Sequence, residues 1–109
     1  MRVKICGLTT APTLEAALSA GADMVGFVFF PKSPRHLRLA AAPELAAMAR
    51  GKAEIVALLV DPDDAMLDKV TAALGPDLLQ LHGAESPERV AAIRQRSGRP
   101  VMKVIGVAG

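Results

Sequence analysis

Five short apolar runs recur along the chain, spaced by about 20 to 30 residues, the length of one strand-and-helix unit. They occupy residues 3–6, 24–30, 55–60, 78–82 and 101–107. The stretches between them carry apolar residues three or four positions apart, the spacing of a helix that packs on one side. These stripes are Leu14, Ala17 and Leu18; Leu45 and Met48; Met66, Val70 and Leu74; and Val90 and Ile93. Strands that alternate with helices predict an α/β fold with a parallel sheet and right-handed crossovers.

Residues between the runs predict where the helices begin and end. Residues 61–64, with the sequence DPDD, supply an N-cap, a proline for the first turn and acids that favour the helix dipole. We therefore assign Asp61 and Asp63 to capping. Ser86 followed by Pro87 repeats the arrangement. Glycine follows each predicted helix, where a left-handed residue commonly ends it; these glycines are Gly21, Gly51, Gly75 and Gly98.

Polar side chains within the predicted strands need a reason, because a parallel strand is covered on both faces. They are Arg2, Lys4 and Cys6 in the first strand, Gln80 and His82 in the fourth, and Lys103 in the fifth. Alternation places those of the first strand on one face, and likewise those of the fourth. In a (β/α) barrel one strand face points to the axis and opens on the active site, which would accommodate them. Arg2 and Lys4 could equally reach solvent at the amino end of their strand.

Length and composition indicate one domain, residues 1–109. Of its 109 residues 51% are hydrophobic, with three Phe and neither Trp nor Tyr. Small aliphatic residues suit helices packed on buried strands, and the composition excludes a disordered chain. No apolar run approaches the roughly 20 residues of a membrane span, so no membrane association is expected. A strand begins at the N-terminus, so we predict no signal peptide.

Charge and cysteine usage bear on partners and compartment. Thirteen Lys and Arg stand among eleven acidic residues, which gives a net charge of +2 without a basic cluster. This balance weakly favours a small anionic ligand and disfavours nucleic acid, which needs a clustered basic surface. Cys6 is the only cysteine, so the cytosol is the expected compartment.

Cys6 ends the first strand and is followed at once by Gly7, where the backbone can turn sharply. Enzymes with α/β folds present catalytic groups at such positions. Free cysteine is also among the most buried residue types, so simple packing would explain the position equally well.

Three segments together resemble the phosphoribosylanthranilate isomerase family of tryptophan biosynthesis. They are residues 4–9 (KICGLT), 21–35 (GADMVGFVFFPKSPR) and 79–83 (LQLHG). Their order and spacing are similar to those of the family, and the second segment is the most specific. The resemblance implies a (β/α)8 TIM barrel and an isomerase. The enzyme would convert N-(5'-phosphoribosyl)anthranilate to its aminodeoxyribulose phosphate by an Amadori rearrangement, without metal or cofactor.

The resemblance also implies roles for four residues. Cys6 would be the base that removes the proton from C2, acting as a thiolate favoured by nearby cations or helix N-termini. Arg35 would bind the anthranilate carboxylate, for which its planar fork is suited. Gln80 and His82 would lie near the substrate at the mouth of the barrel, without an assigned catalytic role. The neighbouring Lys32 and Ser33 we expect to face solvent or to hold the loop.

The length of the chain limits what the resemblance implies, because the family barrel needs about 200 residues or more. We expect only about the first four and a half βα units, an open partial barrel with parallel strands 1–5. Strands 6–8, the aspartate that serves as general acid in the family and the phosphate-binding loops would be absent. Such a fragment should be inactive alone. Its unpaired edge strands invite self-association or pairing with a C-terminal fragment.

A non-catalytic domain is the alternative. Five strands and four helices in about 110 residues would also suit a flavodoxin-like receiver. Such a receiver needs an acidic cluster after the first strand, where this chain has Cys6 and Gly7. A half-barrel that serves for binding or assembly is a further alternative.

Overall fold

The computed structural model describes residues 3–104. Strands and helices alternate throughout, as the hydrophobic pattern predicts. The strands are β1 (Lys4–Cys6), β2 (Met24–Phe29), β3 (Glu54–Leu59), β4 (Leu78–Leu81) and β5 (Val101–Lys103). The helices are α1 (Ala11–Ser19), α2 (Ala42–Ala49), α3 (Asp64–Leu74) and α4 (Pro87–Ser97), and a 3-10 turn at Leu39–Ala41 leads into α2. The predicted α/β fold is confirmed. Arg2 and residues 105–107 of the predicted fifth strand lie outside the described residues.

The five strands form one parallel sheet in the order β1-β2-β3-β4-β5. Each strand pairs with the next strand along the chain. The register aligns Cys6 with Gly26, Gly26 with Val56, and Leu58 with Gln80. The flavodoxin-like alternative is wrong, because a doubly wound sheet of that type places its first strand inside the sheet, whereas β1 lies at one edge.

All four helices cover the same face of the sheet. The buried core joins residues of one strand parity, such as Val25, Phe27 and Ile55, with helix residues such as Leu14 and Leu67. Neighbouring helices pack on one another in chain order, α1 on α2, α2 on α3 and α3 on α4. The other parity belongs to the face without helices. We call this side of the sheet the open face; its members in register are Lys4, Cys6, Met24, Gly26, Val28, Glu54, Val56, Leu58, Leu78, Gln80 and Met102.

The helix ends follow the predicted chemistry except at the start of α3. Ser86 caps α4 by accepting from the amide of Arg89, and Gly75 and Gly98 end α3 and α4 in the left-handed conformation. Asp61 and Pro62 are the exceptions. Asp63 is the N-cap of α3, so the expected capping role of Asp61 is wrong. Because α3 starts at Asp64, Pro62 also precedes the first turn and does not lie within it.

None of the described helices is both long enough and apolar enough to cross a membrane.

Candidate active site

Cys6 lies on the open face, in the space that a side chain at Gly26 would occupy. A β-carbon built on Gly26 would stand 2.6 Å from the Cys6 sulfur and 3.4 Å from its β-carbon. The two residues are register partners on β1 and β2. Just beyond them, the carbonyl of Gly26 accepts from the amides of Gly7 and Leu8, at 3.0 and 3.4 Å. Because Gly26 has no side chain, the Cys6 sulfur can pack against this part of the sheet.

The loop after β2 brings Arg35 to the same corner. The segment turns back and runs beside the end of β2, where His36 bridges Val28 and the amide of Leu37 donates to the Val28 carbonyl at 2.7 Å. This places the loop beyond the end of β1. The Ser33 hydroxyl accepts from the amide of Arg35 at 3.1 Å.

Arg35 passes over Gly7, the residue after Cys6. A β-carbon on Gly7 would lie 2.5 Å from Cδ of Arg35 and 3.4 Å from its Nε. Gly7 has φ +81°, a conformation that L side chains rarely adopt. Arg35 therefore lies over the residue that follows Cys6, at the carboxyl end of β1.

Gln80 on β4 and His82 directly after β4 form the other half of the site. Gln80 is buried, with its Nε2 3.6 Å from the sulfur of Met102, and its Oε1 lies 3.4 Å from Nε2 of His82. The amide of His82 donates to the carbonyl of Leu59 at 2.9 Å, which anchors this residue at the end of β3. As predicted from strand parity, both side chains belong to the open face near its carboxyl end.

Desolvation of the His82 ring lowers its pKa, and the charge of Lys4 lowers it further. Glu85 acts in the opposite direction, and Lys103 adds a smaller lowering contribution. Lys4 lies on the open face of β1, the same face as Gln80 on β4. A neutral imidazole at pH 7 can donate from one nitrogen and accept at the other.

The structure thus gathers the four predicted residues at one end of the open face, in two pairs. Cys6 and Arg35 lie at the end of β1, each against a glycine, and Gln80 and His82 lie within 3.4 Å of each other at the end of β4. Three strand spacings of about 4.8 Å separate the two pairs along the sheet. Among the described residues no hydrogen bond joins one pair to the other. A ligand that contacts all four would therefore span the sheet.

The sequence pattern did not predict an ion pair at the carboxyl end of the sheet, between Glu85 and Lys103. The Glu85 side chain is 1% exposed and its Oε1 lies 2.5 Å from Nζ of Lys103. Lys103 pairs in register with Leu81, a residue of the helix-covered face, so it does not share the open face with Gln80. The alternation of β5 could have revealed this, since a lysine on the covered face needs a buried partner.

Within residues 3–104, no group of three or more His, Cys, Asp or Glu side chains is arranged to hold a metal ion.

Comparison with known proteins identifies the family of the chain. Residues 3–109 match the model of the family described as N-(5'phosphoribosyl)anthranilate (PRA) isomerase. The chain belongs to this family. The isomerase family also contains a protein of Azorhizobium caulinodans, N-(5'-phosphoribosyl)anthranilate isomerase, which is 67% identical over 109 residues. That match covers all of this chain and 48% of the relative.

Solved structures of isomerases are similar over the same region. The crystal structure of phosphoribosyl anthranilate isomerase from Thermotoga maritima superposes with a TM-score of 0.89 at 33% identity, over 98% of this chain and 51% of that one. A second isomerase was solved in complex with reduced 1-(o-carboxyphenylamino)-1-deoxyribulose 5-phosphate, and it has a TM-score of 0.90 at 32% identity, over 99% of this chain and 55% of that one. The chain therefore spans about half the length of the relatives it matches, and the TIM-barrel resemblance is confirmed for that half.

Proposed function

We propose that this chain supplies the amino-terminal half of the active site of an N-(5'-phosphoribosyl)anthranilate isomerase in tryptophan biosynthesis. The observation that carries the proposal is the placement of Cys6 at the carboxyl end of β1, against Gly26, with Arg35 passing over Gly7, the next residue. A thiol and a guanidinium at the same end of one strand offer a base and a carboxylate-binding group to one ligand. The substrate class is a small anionic phosphosugar that carries an aromatic acid.

The proposed reaction needs a base at C2 of the ribose. A proton reaches the furanose ring oxygen, the C1–O bond breaks and a Schiff base forms between C1 and the anthranilate nitrogen. The Cys6 thiolate then takes the C2 proton, and that electron pair makes the C1–C2 double bond of an enolamine. Protonation at C1 and loss of the O2 proton give the ketone. No atom or electron is gained overall, so the reaction is an isomerisation.

The chain's remaining residues are assigned to binding. Arg35 pairs with the anthranilate carboxylate, and the exposed loop around it leaves the guanidinium free to do so. Gln80 and His82 line the far side of the site and contact the ribose portion. The acid for the ring oxygen and the phosphate-binding groups are proposed to come from the half of the relatives that this chain does not match. The cytosol is the proposed place of action.

The test is to restore activity in trans. The chain is co-expressed with the unmatched half of the Azorhizobium caulinodans relative in a tryptophan auxotroph that lacks the isomerase. We expect growth only when both parts are present, because general acid catalysis alone is worth about 10²–10⁴-fold. Growth with the 109-residue chain alone would contradict the division of the site, and failure of every pairing despite a folded complex would contradict the proposed function.

Substitutions in the reassembled enzyme assign the roles. Cys6→Ser should lower turnover by about 10²-fold or more, since an alcohol is a far weaker base than a thiolate. Arg35→Ala should mainly raise KM. Arg38→Ala, in the same exposed loop, is the matched control and should leave both constants unchanged. Loss of anthranilate fluorescence measures each rate. Full activity of Cys6→Ser would make Cys6 a packing residue.

A half-barrel assembly domain is the second candidate, favoured by the exposed edge strands. Val3 beside β1 is 44% exposed and Met102 of β5 is 47% exposed, whereas most large apolar residues are buried. Edge strands with exposed apolar residues can pair with another chain. Sedimentation of the chain alone distinguishes the outcomes: a stable homodimer supports self-assembly, and a monomer that associates only with the other half supports the isomerase.

A further inference from the structure

The carboxylate of Glu85 connects the ends of three neighbouring strands. Its Oε2 accepts from the amide of Asp61, after β3, at 2.8 Å and from the amide of Gly83, after β4, at 3.2 Å. Its Oε1 accepts from Nζ of Lys103, on β5, at 2.5 Å. The ammonium of Lys103 also donates to the carbonyl of Gly83. One buried side chain thus holds the loops after β3 and β4 and the end of β5 together.

Asp61 completes this connection from the other side. Its Oδ1 accepts from the amide of Ala84 at 2.9 Å. Asp61 has φ +44°, which is unusual for a residue other than glycine. A β-carbon on Gly83 would lie 2.5 Å from Cγ of Asp61 and 2.7 Å from its amide nitrogen, so the two loops are in direct backbone contact. The chain immediately after His82 is therefore held on both sides.

Stability alone is a weak explanation for this pair. A buried ion pair can often be replaced by apolar side chains without loss of stability, because desolvation offsets the attraction. A pair that makes three directed hydrogen bonds to the two loops after β3 and β4, and one within itself, instead restricts geometry. The loop it restricts starts at Gly83, and His82 and Gln80 are the two polar residues that precede it on the open face.

We propose that Glu85 and Lys103 are positioning residues that hold the end of β4, and with it His82 and Gln80, in the geometry that the site needs. The catalytic meaning of this positioning rests on the proposed isomerase function, whereas the positioning itself does not. Neither residue touches the open face, since Lys103 pairs in register with Leu81 and Glu85 lies in the loop before α4.

The first test measures the His82 ring directly in the 109-residue chain. Glu85→Gln and Lys103→Met each break the pair, and Glu88→Gln and Lys69→Met are matched controls on exposed helical positions. By NMR, the ring signals of His82 and the side-chain amide signals of Gln80 should shift and broaden in the two test variants and stay in place in the controls. The His82 pKa should fall in Glu85→Gln and rise in Lys103→Met, because the charges removed have opposite signs.

The double variant Glu85→Gln and Lys103→Met keeps the test decisive if a single variant fails to fold. It leaves no unpaired buried charge, so it should fold, and the His82 and Gln80 signals should still broaden. Sharp, unshifted signals in a folded double variant would overturn the proposal. In the unaltered chain, the amide protons of Asp61 and Gly83 should exchange at least about tenfold more slowly than in an unstructured peptide. Exchange at the unstructured rate would also overturn it.

The second test uses the enzyme reassembled from both halves. The double variant should lower kcat by about 10-fold to 100-fold, as expected for a displacement of about 1 Å, with a smaller change in KM. An unchanged kcat together with altered NMR signals would separate the positioning from catalysis and overturn the catalytic part. Absence of activity in the unaltered reassembled enzyme would instead count against the proposed function and leave the NMR result standing.

Discussion

The thiol of Cys6 occupies the side-chain position of Gly26: a β-carbon there would stand 2.6 Å from the sulfur. Gly26 lies in the middle of β2 and its φ is not in the left-handed region, so only space explains the glycine. A site that requires a thiol on the sheet surface therefore requires a glycine on the neighbouring strand.

Gly26→Ala should destabilise the protein by about 1–3 kcal/mol, the usual cost of overpacking a tight contact. The new methyl group forces the sulfur into another position. Urea unfolding measures the loss, and the alkylation rate of Cys6, the only cysteine, reports the movement of the thiol.

The control for this prediction is the double-mutant cycle with Cys6→Ala. Removing the sulfur should recover most of the stability lost in Gly26→Ala, because the remaining Cys6 β-carbon lies 3.4 Å away. Additive losses in the double variant would show that Gly26 is needed for some other reason than the thiol.

Gly7→Ala is expected to displace Arg35, and Gly21→Ala provides a matched comparison. Both glycines have left-handed φ values, +81° and +86°, so both alanine variants carry a similar strain of about 1–2 kcal/mol. Only Gly7 has a neighbour, Cδ of Arg35 at 2.5 Å, whereas a β-carbon on Gly21 meets nothing within 4 Å. In the reassembled enzyme, KM should rise for Gly7→Ala and stay near its original value for Gly21→Ala. Equal KM values would mean that Arg35 adjusts without consequence.

Arg50 is expected to stabilise the end of α3. Its Nη1 donates to the carbonyl of Gly75 at 2.9 Å and its Nη2 to that of Leu74 at 3.0 Å, at the negative end of the helix dipole. Arg50→Met keeps most of the stem but removes both hydrogen bonds, and should cost about 1–2 kcal/mol in urea unfolding. Lys52→Met, in the same turn, is the control and should have little effect. A loss of similar size in Lys52→Met would assign the effect to surface charge.

The order of strands and helices could be predicted because the hydrophobic pattern of each element involves residues only two to four positions apart in the chain. The placement of Asp61 could not, because it depends on Glu85, 24 residues further along the chain. The position of Arg35 over Gly7 likewise depends on a loop that turns back along Val28. The proposal that Cys6 and Arg35 are site residues rests on the family motifs, whereas their proximity to Gly26 and Gly7 is visible only in the three-dimensional structure.

His82 should make the protein less stable as the pH falls below its ordinary pKa of 6.5. Burial and the charge of Lys4 lower the pKa of His82 in the folded protein. The unfolded chain therefore binds a proton more readily near pH 6.5, and the free energy of unfolding falls from there down to the folded pKa. Glu85 acts in a separate, more acidic window, because its pKa is lowered from 4.5; hydrogen bonds from Lys103 and from backbone amides outweigh the effect of burial. Its stabilising contribution is present above the ordinary value of 4.5 and is lost as the pH falls through the folded pKa.

Urea unfolding between about pH 8 and about pH 5.5 isolates the contribution of His82 from that of Glu85. The unaltered chain should lose stability across the acidic part of this range, and His82→Gln should flatten the curve because glutamine does not titrate. Glu85→Gln should leave most of that slope in place, since the carboxylate of Glu85 stays ionised throughout the range. A slope that survives unchanged in His82→Gln would show that another group binds the proton. It would then contradict the lowered pKa of His82 that we attribute to burial and to the charge of Lys4.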